Sequence, residues 1–156
     1  QVKMLNNIIG VGGLGNFSNV ELEKVLAGKK ANVNSFVNSL NEGLSGSCSP
    51  KDMETMLQLT YLSFTAPRMD LDAFESFKNR IKAELANQEA NPMTALSDSL
   101  QYALYGNHPL AMRVKADMVD LIDYNRIMEM YKNRFMDAGD FTFLFVGNIN
   151  PDEASK

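Results

Sequence analysis

The sequence predicts an α+β domain in which helices outnumber strands. About six segments carry apolar residues at helical spacing, and about three carry the pattern of a β-strand. No internal repeat runs along the chain, so an array of repeats is not expected. The length of 156 residues is that of one domain, and it suffices to bury a hydrophobic core.

Two short helices are predicted at the start of the chain. Residues 2–9 carry apolar side chains at helical spacing, and the glycine-rich run 10–15 ends that helix. Ser18 and Glu21 form a capping box, in which the serine oxygen accepts from the Glu21 amide and the glutamate reaches back. A second helix therefore begins after Ser18, and Gly28 stops it.

Strands are predicted at three places. Residues 31–37 have a period of two, and a second strand over 40–47 follows. Residues 141–146 are apolar on both faces, which predicts an interior strand of the sheet.

The longer helices lie between these strands. Ser49 and Pro50 predict the start of a helix with an apolar face of Met53, Leu57, Tyr61 and Phe64. The longest helix is expected over about 70–91, and its stripe of Phe74, Phe77 and Ile81 is expected to pack on the sheet that includes residues 141–146. Further helices are expected at 92–104, 115–121 and 124–135, the last capped by Asp123.

Composition excludes several classes of function. The net charge is −4 and no basic stripe is present, so we expect no nucleic-acid partner. No apolar run is long enough to span a membrane. Cys48 is the single cysteine, which excludes an intrachain disulfide and leaves the compartment undecided.

Few side chains suggest chemistry. His108 is the single histidine, and no further metal ligands stand near it in the sequence. Glu84 lies on a charged helix face, where a lone carboxylate is typically solvated. Cys48 could act as a nucleophile only with a base beside it, and nothing in the sequence places His108 there. We therefore predict no catalytic, cofactor-binding or metal-binding residue in this chain.

The segments 17–29, 44–52 and 141–147 together resemble one domain of the pitrilysin/insulinase family of zinc peptidases. Catalytic domains of that family carry H-x-x-E-H on a helix, with a further glutamate as the third zinc ligand. Glu84 matches the helix of that third ligand, but residues 2–9 contain no histidine or glutamate. The resemblance therefore implies a non-catalytic domain from the second, inactive half of a bacterial two-half zinc protease.

The resemblance also implies a fold. Such a domain has two layers, with helices packed on one face of a mainly antiparallel sheet. Family domains have more strands than this sequence predicts, so we expect residues 1–150 to be the inactive peptidase-family domain, truncated at its N-terminus and lacking its first strands. Residues 151–156 are expected to begin a linker to a following domain.

The function implied by the resemblance depends on the rest of a larger protein. In such proteins two halves face each other across a closed chamber, and zinc lies in the catalytic half. This chain would form chamber wall and a substrate-contacting surface opposite the zinc-bearing half, which hydrolyses peptides. By itself it would be no enzyme, whereas the parent would be a zinc metalloendopeptidase.

The expected partners are the catalytic half of the same polypeptide and an extended peptide substrate. The family suggests a bacterial periplasm or cell envelope. The main alternative is a purely structural, assembly or peptide-binding domain of a catalytically dead family member. An independent small enzyme is disfavoured, because the polar residues are used in helix caps and on solvent faces.

Overall fold

An antiparallel β-hairpin with helices packed against it organises the computed structural model, which describes residues 2–38, 40–106, 108, 111 and 113–148. The hairpin pairs β1 (Ala31–Val37) with β2 (Glu42–Cys48). The α-helices of the described residues are α1 (Val2–Ile8), α2 (Asn19–Val25), α3 (Met53–Thr65), α4 (Leu71–Glu89), α5 (Pro92–Tyr105) and α6 (Tyr124–Phe135). Short 3₁₀-helices lie at Pro50–Asp52, Ala116–Leu121 and Ala138–Asp140. The predicted α+β class is confirmed.

Local hydrogen bonds start the helices where the sequence predicts them. The Glu21 amide donates to Ser18 Oγ over 3.4 Å, and the Ser18 amide donates to Glu21 Oε2 over 2.8 Å, which completes the capping box. Asp123 accepts from the Arg126 amide at the start of α6. Because these bonds join residues within one turn, the sequence alone suffices to predict them.

The hairpin begins its second strand later than predicted. Leu40 is 97% exposed, and the Asn38 amide donates to the carbonyl of Asn41 over 2.8 Å, so residues 40 and 41 belong to the turn. The paired register runs from Ala31 opposite Cys48 to Val37 opposite Glu42.

The hydrophobic core lies between α1, α6, α4 and the end of β1. Its fully buried side chains include Leu5 and Ile8 of α1 and Ile127, Tyr131 and Phe135 of α6. Helix α6 has an apolar face, and the side chains of this face lie at the centre of the cluster. In the described residues no helix combines the length and apolarity that crossing a membrane requires.

The predicted apolar face of α3 is partly wrong. Thr55, Leu59 and Ser63 are the buried residues, whereas Tyr61 is 66% exposed. Both buried hydroxyls are satisfied: Thr55 Oγ1 accepts from Lys29 Nζ over 2.9 Å, and Ser63 Oγ donates to the Leu59 carbonyl over 2.8 Å. The buried face of α3 is therefore partly polar, which the apolar spacing did not predict.

The predicted interior strand at residues 141–146 is not formed. The Phe141 amide donates to the Ala138 carbonyl over 3.2 Å, but no described strand pairs with the segment, and Leu144 and Val146 are 85% and 88% exposed. Phe141 and Phe143 are held instead by ring contacts with Phe64, at centroid distances of 5.0 and 6.0 Å. The composition of an interior strand is present, but a strand also needs a neighbouring strand to bond with.

The stripe of α4 faces the hydrophobic core as predicted, with Phe74 buried and Phe77 and Ile81 partly buried, but it packs on a different surface. Phe74 stacks on Tyr124 of α6, and Phe77 and Ile81 pack against the same core cluster. The 3₁₀-helix Ala116–Leu121, predicted as a helix over 115–121, packs against α4 as well. The expected packing of this stripe on a sheet containing residues 141–146 is therefore wrong. The predicted linker at 151–156 lies outside the described residues.

Candidate functional site

The side chains that the sequence singled out for chemistry stand on separate elements. Glu84 is exposed on α4 and accepts from Gln88 Nε2 over 3.4 Å, one helical turn away. Cys48 ends β2 as a half-buried free thiol, and His108 is exposed beyond the end of α5. The described residues contain no group of histidine, cysteine, aspartate and glutamate side chains that could hold a metal ion.

The helix that would carry the first zinc ligands in a catalytic family domain has a different use here. Leu5 and Ile8 of α1 are buried in the core. Asn6 is bonded to the backbone of β1: its Oδ1 accepts from the Val37 amide over 2.7 Å, and its Nδ2 donates to the Val37 carbonyl over 3.2 Å. The described residues therefore do not fit a zinc ion.

Helices cover only one face of the hairpin. On that face Val37 and Leu44 pack against the core, and a Cβ placed on Gly46 would lie 3.5 Å from Met56 Sδ and 2.8 Å from the Asn32 carbonyl oxygen. Glycine at position 46 thus permits the close approach of α3 to the sheet.

The opposite face of the hairpin is open, uncharged and largely polar. Because side chains alternate along a strand, it carries the exposed Asn32 and Asn34 from β1 with Ser45 and Ser47 from β2, and nearer the turn it carries the half-buried Phe36 opposite Gly43. Asn32 Nδ2 donates to Ser47 Oγ over 3.0 Å. Amides and hydroxyls can both donate and accept, so this face can hydrogen-bond a polypeptide backbone without selecting for charge.

A groove runs along the outer edge of β2. It has a volume of about 750 Å³, which lies within the range of ligand cavities. Its walls are β2, one side of α3 and the extended segment that follows α6. The lining residues from α3 are Met53, Met56, Thr60 and Phe64. The sequence analysis missed this groove; the signal that could have indicated it was the interior-strand composition of residues 141–146.

The hydrogen bonds that flank the hairpin show which residues of β2 turn their backbone groups toward β1 and which turn them away. The Ser49 amide donates to the Lys30 carbonyl over 2.8 Å, and the Asn38 amide donates to the Asn41 carbonyl over 2.8 Å. Antiparallel pairs alternate between bonded and non-bonded positions, so every second residue of β2 turns its backbone groups away from β1.

Leu44 and Gly46 are the central residues of this outward set on β2. Ser45 between them turns its backbone groups inward, opposite Asn34. No other described residue hydrogen-bonds to the backbone of Leu44 or Gly46. The groove therefore lies against an unpaired strand edge.

Electrostatic contacts anchor the hairpin at both ends. Asp52 is buried and accepts from Ser49 Oγ over 2.5 Å and from the Lys30 amide over 3.0 Å. The Ser49 hydroxyl, followed by the Lys30 amide, lowers the pKa of Asp52. At the other end Arg134 of α6 forms an ion pair with Glu42. These contacts position the hairpin on the helices.

Tyr131 is a fully buried titratable group of the core. Its hydroxyl donates to the Ser63 carbonyl over 2.9 Å and so joins α6 to α3. Burial raises the pKa of this phenol, which keeps it neutral at ordinary pH. Its role is structural, because it satisfies a buried carbonyl.

Two similarities to known proteins bear on this domain. No family model matches the chain. A curated protein of Arabidopsis thaliana, "Zinc protease PQQL-like", is 27% identical over 101 residues, which cover 64% of this chain and 11% of that protein. A crystal structure of a mutant of the ferredoxin protease FusC, in complex with Arabidopsis ferredoxin, superposes with a TM-score of 0.66 at 13% identity.

The FusC superposition covers 86% of this chain and 15% of the FusC chain. The chain thus spans only a small part of these two proteins. At this identity the structural likeness shows a shared fold, and the sequence likeness is to a protein described as a zinc protease. Together they support a domain of the metallopeptidase type that the sequence resembles.

Proposed function

We propose that this chain is a non-catalytic domain of a zinc-dependent metallopeptidase. It forms chamber wall and a substrate-contacting surface opposite the zinc-bearing half, which hydrolyses peptides. Support comes from the sequence likeness to a zinc protease-like protein and from the shared fold with part of a protease. The catalytic half of the same polypeptide supplies the zinc, and this chain supplies none of its ligands.

The observation that carries the proposal is the one-sided packing of the hairpin. Helices cover one face, and the exposed asparagine and serine side chains of the other face are free of charge. A chamber wall needs such a face, because an extended peptide presents backbone amides and carbonyls along its whole length. The domain would act by orienting the peptide and by excluding water, which both favour reaction at a distant metal.

The proposed partners and location follow from the same assignment. The partners are the catalytic half and an extended peptide, and the parent is a zinc metalloendopeptidase. We place this protein in a bacterial periplasm or cell envelope, as the family resemblance suggests. Fractionation of cells that express the parent, followed by immunoblotting, would test that placement.

A matched pair of serine variants tests the function in the zinc-bearing parent protein. Ser45→Arg places a bulky charge on the open face, whereas Ser76→Arg makes the same change on the exposed side of α4. We expect Ser45→Arg to lower kcat/KM for unstructured peptides by about fivefold or more, and Ser76→Arg to change it less than about twofold. Zinc content should be the same in both. Equal kinetics for the two variants would contradict a substrate-contacting face.

One observation favours an assembly role as the second candidate. Helix α5 exposes most of its apolar side chains, and its one charged residue, Asp98, is paired with Arg113 over 3.0 Å. The exposed residues are Met93, Leu96, Leu100, Tyr102, Leu104 and Tyr105. A domain that serves only in assembly would be expected in a parent that encodes no H-x-x-E-H motif, so the gene sequence discriminates between the candidates.

A further inference from the structure

Two rows of unpaired backbone border the same groove. One is the outer edge of β2 at Leu44 and Gly46, and the other is the extended segment 142–146. No backbone hydrogen bond joins these two stretches to each other in the described residues. We propose that this groove is a strand-acceptor site, in which an extended polypeptide segment from a partner inserts and pairs with β2.

The free edge determines the conformation of the partner. Amide and carbonyl groups that alternate along an unpaired edge are satisfied by another extended backbone, as in strand addition to a sheet. A compact ligand or a helix offers no matching row of donors and acceptors. Leu44 and Gly46 each present an amide and a carbonyl, so one added strand can bond to both residues.

The floor of the groove determines which side chains the partner carries. Met53, Met56 and Phe64 of α3 extend the apolar layer past the edge of β2. An added strand turns every second side chain toward this floor and the others toward the open polar face. The partner is therefore an extended segment with alternating apolar and polar residues.

Charged side chains form only a small part of the surface of this groove. Among its described lining residues only Glu42, Arg134 and Asp140 are charged at neutral pH, and Glu42 is paired with Arg134. The floor carries no charge that could compensate a buried lysine or glutamate of the partner. A segment with uncharged inward-facing residues is favoured for that reason.

The exposed segment opposite β2 gives independent support. Leu144 and Val146 are almost fully exposed, although their sequence is that of an interior strand. A strand inserted beside this segment would pair with its backbone and cover part of its apolar surface. The inserted strand would then extend the sheet, which has two strands in the described residues.

This site lies along the edge of β2 and shares Ser47 with the open face assigned to peptide contact, but strand addition requires neither zinc nor hydrolysis. Its test uses the full chain and a synthetic peptide of alternating valine and threonine, with lysine at each end for solubility. Amide hydrogen exchange is followed by NMR with and without the peptide. We expect exchange at Leu44 and Gly46 to slow at least about tenfold more than at Ser45, whose amide already faces β1.

A matched pair of methionine variants tests the floor. Met56→Lys places a charge in the groove, whereas Met136→Lys makes the same change at a site that is 79% exposed outside it. Fluorescence anisotropy with labelled peptide should show affinity about tenfold or more weaker for Met56→Lys, and changed less than about twofold for Met136→Lys. Circular dichroism verifies that both variants are folded.

Backbone pairing is tested on the peptide, so the result does not depend on any variant folding. Two peptides are compared, one N-methylated at the odd positions and the other at the even positions. We expect one of the two not to bind, because its methyl groups replace the amide hydrogens that face β2. Equal binding of all peptides, or no saturable binding up to about 1 mM, would overturn the proposal. Protection of the Leu44 and Gly46 amides from hydrogen exchange that rises with protein concentration, without peptide, would also overturn it. That result would identify a second copy of this chain as the occupant.

Discussion

The ring of Phe74 on α4 lies parallel to the ring of Tyr124 at the start of α6, with centroids 4.4 Å apart and planes inclined by 7°. Both residues are buried, at 4% exposure each. The Tyr124 hydroxyl also accepts from the amide of Asp70, the N-cap of α4, over 3.4 Å. One aromatic pair therefore sets the position of the longest helix relative to the core.

Removal of the Phe74 ring should be strongly destabilising. Phe74→Ala is expected to lower the free energy of unfolding by about 3–5 kcal/mol, because it loses buried area and leaves a cavity beside Tyr124. Phe77 is only partly buried, so Phe77→Ala should cost less. Denaturant titration measures both. Leu71→Ala on the exposed side of α4 is the control, with a change of at most about 0.5 kcal/mol. Similar losses for Phe74→Ala and Leu71→Ala would show that α4 is not anchored by this pair.

The isolated chain should bind no stoichiometric zinc. Its single histidine, His108, has no set of further ligands in the sequence, and Asn6 of α1 is bonded to β1. Metal analysis after dialysis against a weak chelator tests this expectation. One equivalent of zinc that is lost in the His108→Ala variant would show a metal site in this chain.

The isolated chain should also cleave no peptides. A quenched fluorescent peptide library should report only background turnover, because Glu84 accepts from Gln88 on its own helix and Cys48 is a half-buried free thiol at the end of β2. Activity that co-purifies with the chain and disappears on Cys48→Ala or Glu84→Gln would assign catalysis to this domain.

The contacts of Asp52 predict acid sensitivity of the hairpin anchor. The Ser49 hydroxyl, followed by the Lys30 amide, lowers the Asp52 pKa in the folded protein. A lowered pKa stabilises the fold above the unfolded value of about 3.9, and this stability is lost as the pH falls through the folded value. Unfolding titrations between neutral pH and about pH 3 should show a shallower acid loss for Asp52→Asn than for the unmodified chain.

Asp72→Asn is the matched control for this pH dependence, because Asp72 is exposed in the first turn of α4. Its titration should follow that of the unmodified chain. Ser49→Ala should reproduce part of the Asp52→Asn effect, because it removes the strongest contact of the carboxylate. Identical slopes for Asp52→Asn and Asp72→Asn would mean that Asp52 contributes no pH-dependent stability.

Local features of this protein could be predicted from its sequence. The capping box of Ser18 and Glu21, the Asp123 cap and the period of two in β1 each depend on residues within about one turn or along one strand. The absence of an H-x-x-E-H motif is likewise a property of the sequence, and it underlies the proposal of a non-catalytic domain.

The tertiary structure decided which surfaces meet. Residues 141–146 have the composition of an interior strand, yet a strand forms only when another backbone lies beside it, and no described residue supplies one. The buried face of α3 includes Thr55 and Ser63, which contact Lys29 and Tyr131, and hydrophobic spacing does not encode these contacts. The groove beside Leu44 and Gly46 arises for the same reason: backbone pairing across a sheet is a relationship between distant segments, and only the folded chain brings them together.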